Sequence, residues 1–355
     1  MAHAENRRAA NGKRIPSERT SRMSLIPQQQ ARRSTMSIRG LMEVGGLLLC
    51  AATVAGFLAR LWWVFDLASH FRLHLTVGLS GLAAVWALKR RWRMTSICGL
   101  GAAVNAVPVL LVLLPVETTG PQTGTRLRLV SINVHTENQR SDLVLKFLQT
   151  ANADVVLLME VNEAWMIALQ PLRTNYPQAI AKPREDNFGI ALFSRLPLTN
   201  SEVIELGKAE VPSIATTLLL GGQPLFLLGT HPLPPGSAEY ARLRNEQLRE
   251  VAALIRGHHT ATIVLGDLNC TPWSPYFTDL LRDSGLKNTS QSRGLFGSWP
   301  AWLPFGRIPL DHGLVSPTIR IIQKWTGPPV GSDHLPLVID LQIPSEDRVH
   351  ISPDH

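Results

Sequence analysis

The chain has 355 residues, 45% of them apolar, a formal charge of +8 and three cysteines. That length holds one large α/β domain with a further segment attached, or two ordinary domains, and Cys50, Cys98 and Cys270 are too scattered for a zinc knuckle or a disulfide framework. Residues 1–40 carry nine Lys and Arg against two acids, residues 41–124 six against three, and residues 125–355 20 against 22, so the basicity gives no support to a nucleic-acid-binding face on the main body of the chain.

Residues 1–40, rich in Arg, Ser, Gln and Asn without apolar periodicity, read as a disordered basic tail on the cytoplasmic side. The same composition fits an organellar transit peptide, and Met36 competes with Met1 as the start.

From Leu41 the character changes. "LMEVGGLLLCAATVAGFLARLWW", "LHLTVGLSGLAAVWAL" and "SICGLGAAVNAVPVLLVLLPV" predict three transmembrane helices within residues 41–116, since about 20 apolar residues cross the hydrocarbon. The middle run is short, and Phe71 with the flanking His70 and Arg72 would extend it by snorkelling. A buried helical hairpin in a soluble protein is the rival. Arg32, Arg33 and Arg39 precede the first run and "KRRWR" (Lys89 to Arg93) separates the second from the third, whereas Trp62 to His70 carries little positive charge. Retention of Lys and Arg inside then places the N-terminus in the cytoplasm and everything after Val116 in the periplasm or outside the cell. Residues 117–125, with "ETTGPQTG", read as a flexible linker.

Residues 126–345 alternate short apolar strands with helical patterns. "LRLVSINV", "DVVLLMEV", "GIALFSRLPL", "IATTLLLGGQPLFLLGTH", "ATIVLGDLN", "LDHGLVSP" and "LPLVIDLQI" have strand composition. "SDLVLKFLQTANA", with Ser141 as N-cap, and "SAEYARLRNEQLREVAALIRG" have helical spacing. Many strands and few helices over this length predict an α/β sandwich of two packed sheets flanked by helices. A Gly-rich phosphate loop and a GxSxG elbow are both missing from the sequence, which removes nucleotide-cradle and serine-hydrolase chemistry. Residues 346–355 read as a flexible C-terminal tail.

Polar residues gather at strand ends: Asn133, Glu160, His231, Asp267 with Asn269, Asp311 with His312, and Asp333 with His334. Strand ends in a layered sheet converge on one edge, which is how a site forms from residues distant in sequence. Carboxylates and amide oxygens without a cysteine pair favour a hard cation, Mg²⁺ or Mn²⁺, and a hard cation beside two histidines suits phosphoryl chemistry.

In order and strand context, "SINV", "LMEV", "GTHP", "GDLN", "LDH" and "SDHLP" resemble the endonuclease/exonuclease/phosphatase superfamily, the deoxyribonuclease-I-like fold, from Arg126 to about Ile343. The match looks closest to its bacterial membrane-anchored members. The resemblance implies a four-layer α/β sandwich of two mixed sheets and in-line attack of water on phosphorus. It implies Glu160 as principal metal ligand, with Asn133 beside it and Asp333 as an outer or alternative ligand. Asp267 would orient or deprotonate the water, Asn269 would hold a phosphate oxygen, His231 and His334 would bind the phosphate, and Asp311 would orient a histidine. Asn133 and Asn269 as turn caps, and His231 as a structural histidine, are the bland alternatives; His312 is left out of the site.

The expected function is a membrane-anchored, divalent-metal-dependent phosphoesterase acting on a lipid head group, a nucleic acid or a small phosphoester. The lipid bilayer is its expected partner, and no obligate protein partner is evident. An extracytoplasmic nuclease and a silent scaffold that keeps the fold are the alternatives. "SRGLFGSWPAWLPFGRIPLDH", with Phe296, Trp299, Trp302 and Phe305, reads as a lid, a base-stacking platform, a lipid-dipping surface or a loop packed on its own domain. "CTPW", after Asn269, is where substrate choice is expected.

Overall fold

The computed structural model describes residues 37–114 and 124–344. The expected basic tail, both candidate start methionines, most of the linker and the C-terminal tail lie outside the described residues.

Four helices come first: α1 (Ile38–Phe57), the short α2 (Trp63–Ser69), α3 (Arg72–Leu88) and α4 (Trp92–Leu113). Two of them, α1 and α4, are long and apolar enough to cross a membrane; α2 and α3 make a third span only as a pair bent by 65°. His70 and Arg72, expected to snorkel at the end of the middle run, are instead buried at that bend. Arg72 donates to the carbonyl of Gly56 at 3.1 Å, and His70 Nδ1 lies 3.1 Å from Thr271 Oγ1. Protein partners thus meet part of the hydrogen-bonding demand of the buried bend, while His70 Nε2 and Arg72 Nε are buried without one.

The remainder is a four-layer sandwich, as the sequence pattern predicts. The first sheet contains β1 (Thr125–Asn133), β2 (Val155–Met159), β3 (Gln178–Lys182), β4 (Ile190–Ser194), β11 (Arg320–Thr326) and β12 (Leu337–Ile343), in the order β11-β12-β1-β2-β4-β3. The second holds β5 (Leu198–Glu205), β6 (Pro212–Leu220), β7 (Gln223–Thr230), β8 (Thr262–Asp267), β9 (Lys287–Asn288) and β10 (Asp311–Val315), in the order β5-β6-β7-β8-β10-β9. Period-two alternation divides each central strand. Leu129, Leu157, Leu227, Leu265 and Ile339 fill the space between the sheets. Val130, Ile132, Val156 and Leu158 turn outward against α5 (Ser141–Ala151) and α6 (Glu163–Ala168). Leu228 and Val264 turn outward against α7 (Ala238–Arg256) and α8 (Pro275–Ser284). Ser141 is the first residue of α5 rather than its cap; Arg140 holds the cap position, with no side-chain cap bond.

Two parallel pairs set the site. β1 runs parallel to β2 and β7 parallel to β8, so each pair ends at the same edge of its sheet. β10 runs antiparallel to β8, with Asp311 opposite Asp267. Close approach is built into that edge. A Cβ on Gly266 (φ +148°) would sit 1.9 Å from the Thr230 carbonyl, and one on Gly189 would sit 1.8 Å from that of Val161, so glycine alone fits both positions.

The helical segment and the sandwich join at one end of the helices. Arg244 of α7 pairs with Asp66 of α2 at 2.5 Å, Ser274 donates to Asp66 at 2.9 Å, and the Ser292 amide donates to the Val112 carbonyl near the end of α4 at 3.1 Å. Lys89 to Arg93 lie at the far end of α3, about 25 Å away at 1.5 Å per residue. "CTPW", where substrate choice was expected, belongs to this seam: Thr271 meets His70, and Trp273 lines a cavity with Arg72, Pro108 and Leu111.

Candidate active site

All but one of the strand ends singled out in the sequence deliver side chains to one cleft of about 670 Å³: Asn133, Glu160, His231, Asp267, Asn269, Asp333 and His334 line it. Asp311 stands directly behind, buried against His334.

Asp267 is the hub. Its Oδ1 accepts the Asn269 amide at 2.9 Å. Its Oδ2 lies 3.5 Å from both His231 Nε2 and His334 Nε2, and 3.4 Å from Asn133 Nδ2. On its other ring nitrogen, Nδ1, His334 meets Asp311 Oδ2 at 2.8 Å. Ser332 ties this loop to the first sheet, donating to the Asn133 carbonyl at 2.7 Å and accepting the His334 amide at 3.0 Å.

Glu160 lies across the cleft, one residue past β2 and at φ +61°; Asn269 is also left-handed, at φ +49°. Such backbone is uncommon outside glycine and collects where surroundings hold a side chain in place for function. At "GDLN", Asp267 ends β8, Leu268 returns to the core, and a left-handed turn brings Asn269 back to the cleft. Asn133 Nδ2 donates to Glu160 Oε1 at 2.7 Å, while its Oδ1 accepts the His135 amide at 3.1 Å. In this arrangement Asn133 is a donor holding two carboxylates together. Asp333 accepts the Trp299 indole N–H at 3.0 Å. Asn269 donates to the Pro232 carbonyl at 2.9 Å with His231 Nε2 at 3.4 Å, so it fixes the loop after β7. His312 turns away, as expected, with Nε2 2.9 Å from the Cys270 carbonyl and its ring against Phe277.

Charge is distributed in a telling way. Burial alone would lower the His334 imidazole, but Asp311 and Asp267 outweigh it and push it up to about 10. Burial would raise Asp267, yet the neighbouring His334 and His231 bring it down to about 2. His231 is raised by the same balance, burial being overcome by Asp267 and Glu160. An imidazolium at His334 beside an ionised Asp267 is therefore the state near neutral pH.

Around the cleft stand Glu160, Asp186, Asp267 and Asp333, and among the described residues no Lys or Arg lines it. A phosphate meets an unfavourable field there, because Glu160, Asp267 and Asp333 face it while Asp186 is paired with Arg184, and among the described residues the histidines supply the positive charge on the cleft wall itself. The residues therefore fit a hard divalent cation, with Glu160 and Asp333 offering carboxylate oxygens to the cleft. Asp267, Asp311 and His334 also bring ligand atoms within 4.8 Å of one another.

Sequence reading missed Asp66, His70 and Arg244. Asp66 and Arg244 form a buried pair, Arg244 also donating to the Asn269 carbonyl at 2.8 Å, and His70 and Phe71 supply part of the cleft wall. The helical segment thus reaches the site itself.

Titration should expose the buried relay. In protein stripped of divalent ions, the raised His334 contributes stability that is full below 6.5 and lost as pH climbs through about 10. The depressed Asp267 contributes stability that is full above 3.8 and lost as pH falls through about 2. Melting temperature should therefore be highest from about pH 4 to 6.5 and fall on both sides. A His334→Gln profile overlaying that of the parent above pH 6.5 would remove His334 from this balance.

The family model for the Endonuclease/Exonuclease/phosphatase family matches residues 130–334. Among solved structures, the endonuclease/exonuclease/phosphatase from Bacteroides vulgatus aligns with a TM-score of 0.53 at 19% identity, covering 62% of this chain and 100% of that one. The human Nocturnin catalytic domain with bound sulfate anion aligns at 0.52 and 22%, covering 62% and 97%. A humanized D. rerio TDP2 aligns at 0.52 and 17%, covering 61% and 99%. At these identities the structural likeness speaks to the fold. The comparison with curated proteins finds no match.

Proposed function

The chain belongs to the endonuclease/exonuclease/phosphatase family, whose members are metal-dependent hydrolases of phosphoester bonds, and from that premise we propose a membrane-anchored phosphoesterase whose catalytic domain faces the periplasm or cell exterior. One observation carries the catalytic reading: the buried Asp311–His334–Asp267–His231 array faces Glu160 across a cleft without Lys or Arg.

When bound, a divalent cation, Mg²⁺ or Mn²⁺, would neutralise the phosphate oxygens and the charge that develops on the leaving oxygen. Glu160 would hold it, with Asp333 as the second carboxylate and Asn133 keeping Glu160 in place. Asp267, ionised between two imidazoles, orients a water for in-line attack; as the water oxygen bonds to phosphorus the ester P–O bond opposite breaks, the water's proton passes to Asp267 and the leaving alcohol takes up a proton from solvent. His334, kept protonated by Asp311, donates to a phosphate oxygen, and His231 binds a second one. Asn269 keeps the His231 loop at that distance.

The domain's slight excess of acids and a cleft that no Lys or Arg among the described residues lines disfavour nonspecific nucleic acid, whose binding depends on Lys and Arg contacts to the backbone. Full-length protein in detergent or nanodiscs, supplied with Mg²⁺ or Mn²⁺, is expected to hydrolyse bis-p-nitrophenyl phosphate or a simple monoester and to stop on addition of chelator. Failure on every phosphoester offered, with the fold intact, would remove the enzymatic reading.

Topology is testable separately. The domain docks on the Trp62 to His70 end of the helices, opposite "KRRWR", as an outer domain over an inward basic loop requires. A reporter fused after His355 should be active only outside the cytoplasm; activity inside would reverse the orientation.

A further inference from the structure

The stretch from Gly297 to Leu310 splits in two. Trp299 turns inward to Asp333 and the cleft, whereas Trp302 is 74% and Phe305 96% exposed, with Leu303 between them half-exposed. Large side chains of this kind seldom stand together on a water-facing loop, since each exposes apolar area that burial would remove from water. Their location explains them. His74, in the first turn of α3, meets the Phe305 carbonyl at 3.1 Å through Nε2. A groove of about 680 Å³ separates the loop from Leu73, Val77 and Gly78. Phe71 and Trp62, at the same end of the helices, are exposed as well.

We propose that Trp302, Leu303 and Phe305 insert into the bilayer leaflet that α3 enters, as a second membrane contact supplied by the catalytic domain. The surface is continuous with the outer face of the helices, so the occupant follows from the reading of α1 and α4 as spans, on which this inference rests. Rings from two segments more than 200 residues apart in sequence form one interfacial aromatic belt, Trp62 and Phe71 from the helices and Trp302 and Phe305 from the domain. Because the loop and the α2–α3 bend also form walls of the cleft, the contact holds its opening at head-group height and limits rocking of the domain.

The test needs no turnover, so it stands apart from the esterase assay. Full-length chain carrying Phe305→Cys is nitroxide-labelled and placed in vesicles of phosphatidylethanolamine and phosphatidylglycerol, with the unsubstituted chain as control for labelling at native cysteines. Ile167, exposed on α6 away from the helices, provides a comparison site as Ile167→Cys. The nitroxide at 305 is expected to collide several-fold more often with dissolved oxygen than with a water-soluble nickel chelate, and the ratio should invert at 167. Equal access to the chelate at both positions would overturn the proposal. Trp302→Asp in the labelled chain should raise chelate access at 305; no change on that substitution would also count against insertion.

Discussion

Glu160→Gln is expected to lower phosphoesterase kcat/KM by about 10³-fold, close to 4 kcal/mol of transition-state stabilisation at 1.36 kcal/mol per decade. The reason is the inventory of the cleft, where Glu160, Asp267 and Asp333 face the substrate beside Asp186, itself paired with Arg184, and among the described residues no Lys or Arg lines the wall. Removing the carboxylate charge that would hold a cation leaves the phosphate in an unfavourable field. Gln retains the shape, the left-handed backbone at φ +61° and the contact with Asn133. Melting should therefore move by no more than about 1 kcal/mol, and Mg²⁺ affinity measured by calorimetry should fall with activity. His334→Ala should also abolish turnover but lower stability too, because it strips the buried Asp311 of its imidazole while Asp311 Oδ1 already lacks a partner. A Glu160→Gln enzyme with unchanged turnover and unchanged metal affinity would show the cation to be held elsewhere.

The difference between those two variants has a counterpart in what the sequence could reveal. Asn133, Glu160, Asp267 and His334 were legible because each interrupts an apolar run at a strand end, where a polar group needs either water or a site. Central strands were legible for the same reason: "DVVLLM" and "ATIVLG" are buried on both faces. Edge strands were not. In β5 nearly every side chain is exposed, and β11 is bulged between Ile321 and Gln323, so neither carries a clean period of two. The seam with the helices was the largest omission. Arg244 lies on the buried stripe of α7 with Ala241, Leu248, Val251 and Ile255. A cation at a core position signals an acid waiting elsewhere, but nothing local names Asp66, which comes from 178 residues away. The roles given to Asp333 and Asn133 came from resemblance; local pattern alone contained no account of the Trp299 indole on Asp333 or of the Asn133 amide between two acids.

Asp66→Ala should destabilise the full-length protein by about 3–5 kcal/mol, among the largest effects a single substitution outside the cleft can have here, because it leaves a buried guanidinium without its carboxylate. Arg244 is 0% exposed and has no route to water. Its remaining contacts, the Asn269 carbonyl at 2.8 Å and Asn245 Oδ1 at 2.9 Å, are neutral. Activity should fall with stability, since the Asn269 carbonyl belongs to the left-handed turn that follows Asp267. Asp66→Asn, which keeps a hydrogen-bond acceptor, should lose less. The double variant Asp66→Ala with Arg244→Met should regain part of the loss, as an apolar replacement no longer carries a stranded charge, and the coupling in that cycle measures the pair directly. If Asp66→Ala unfolds within about 1 kcal/mol of the parent, Arg244 finds another partner and the helices are only a tether; if the loss appears, the helical segment is a structural component of the active site.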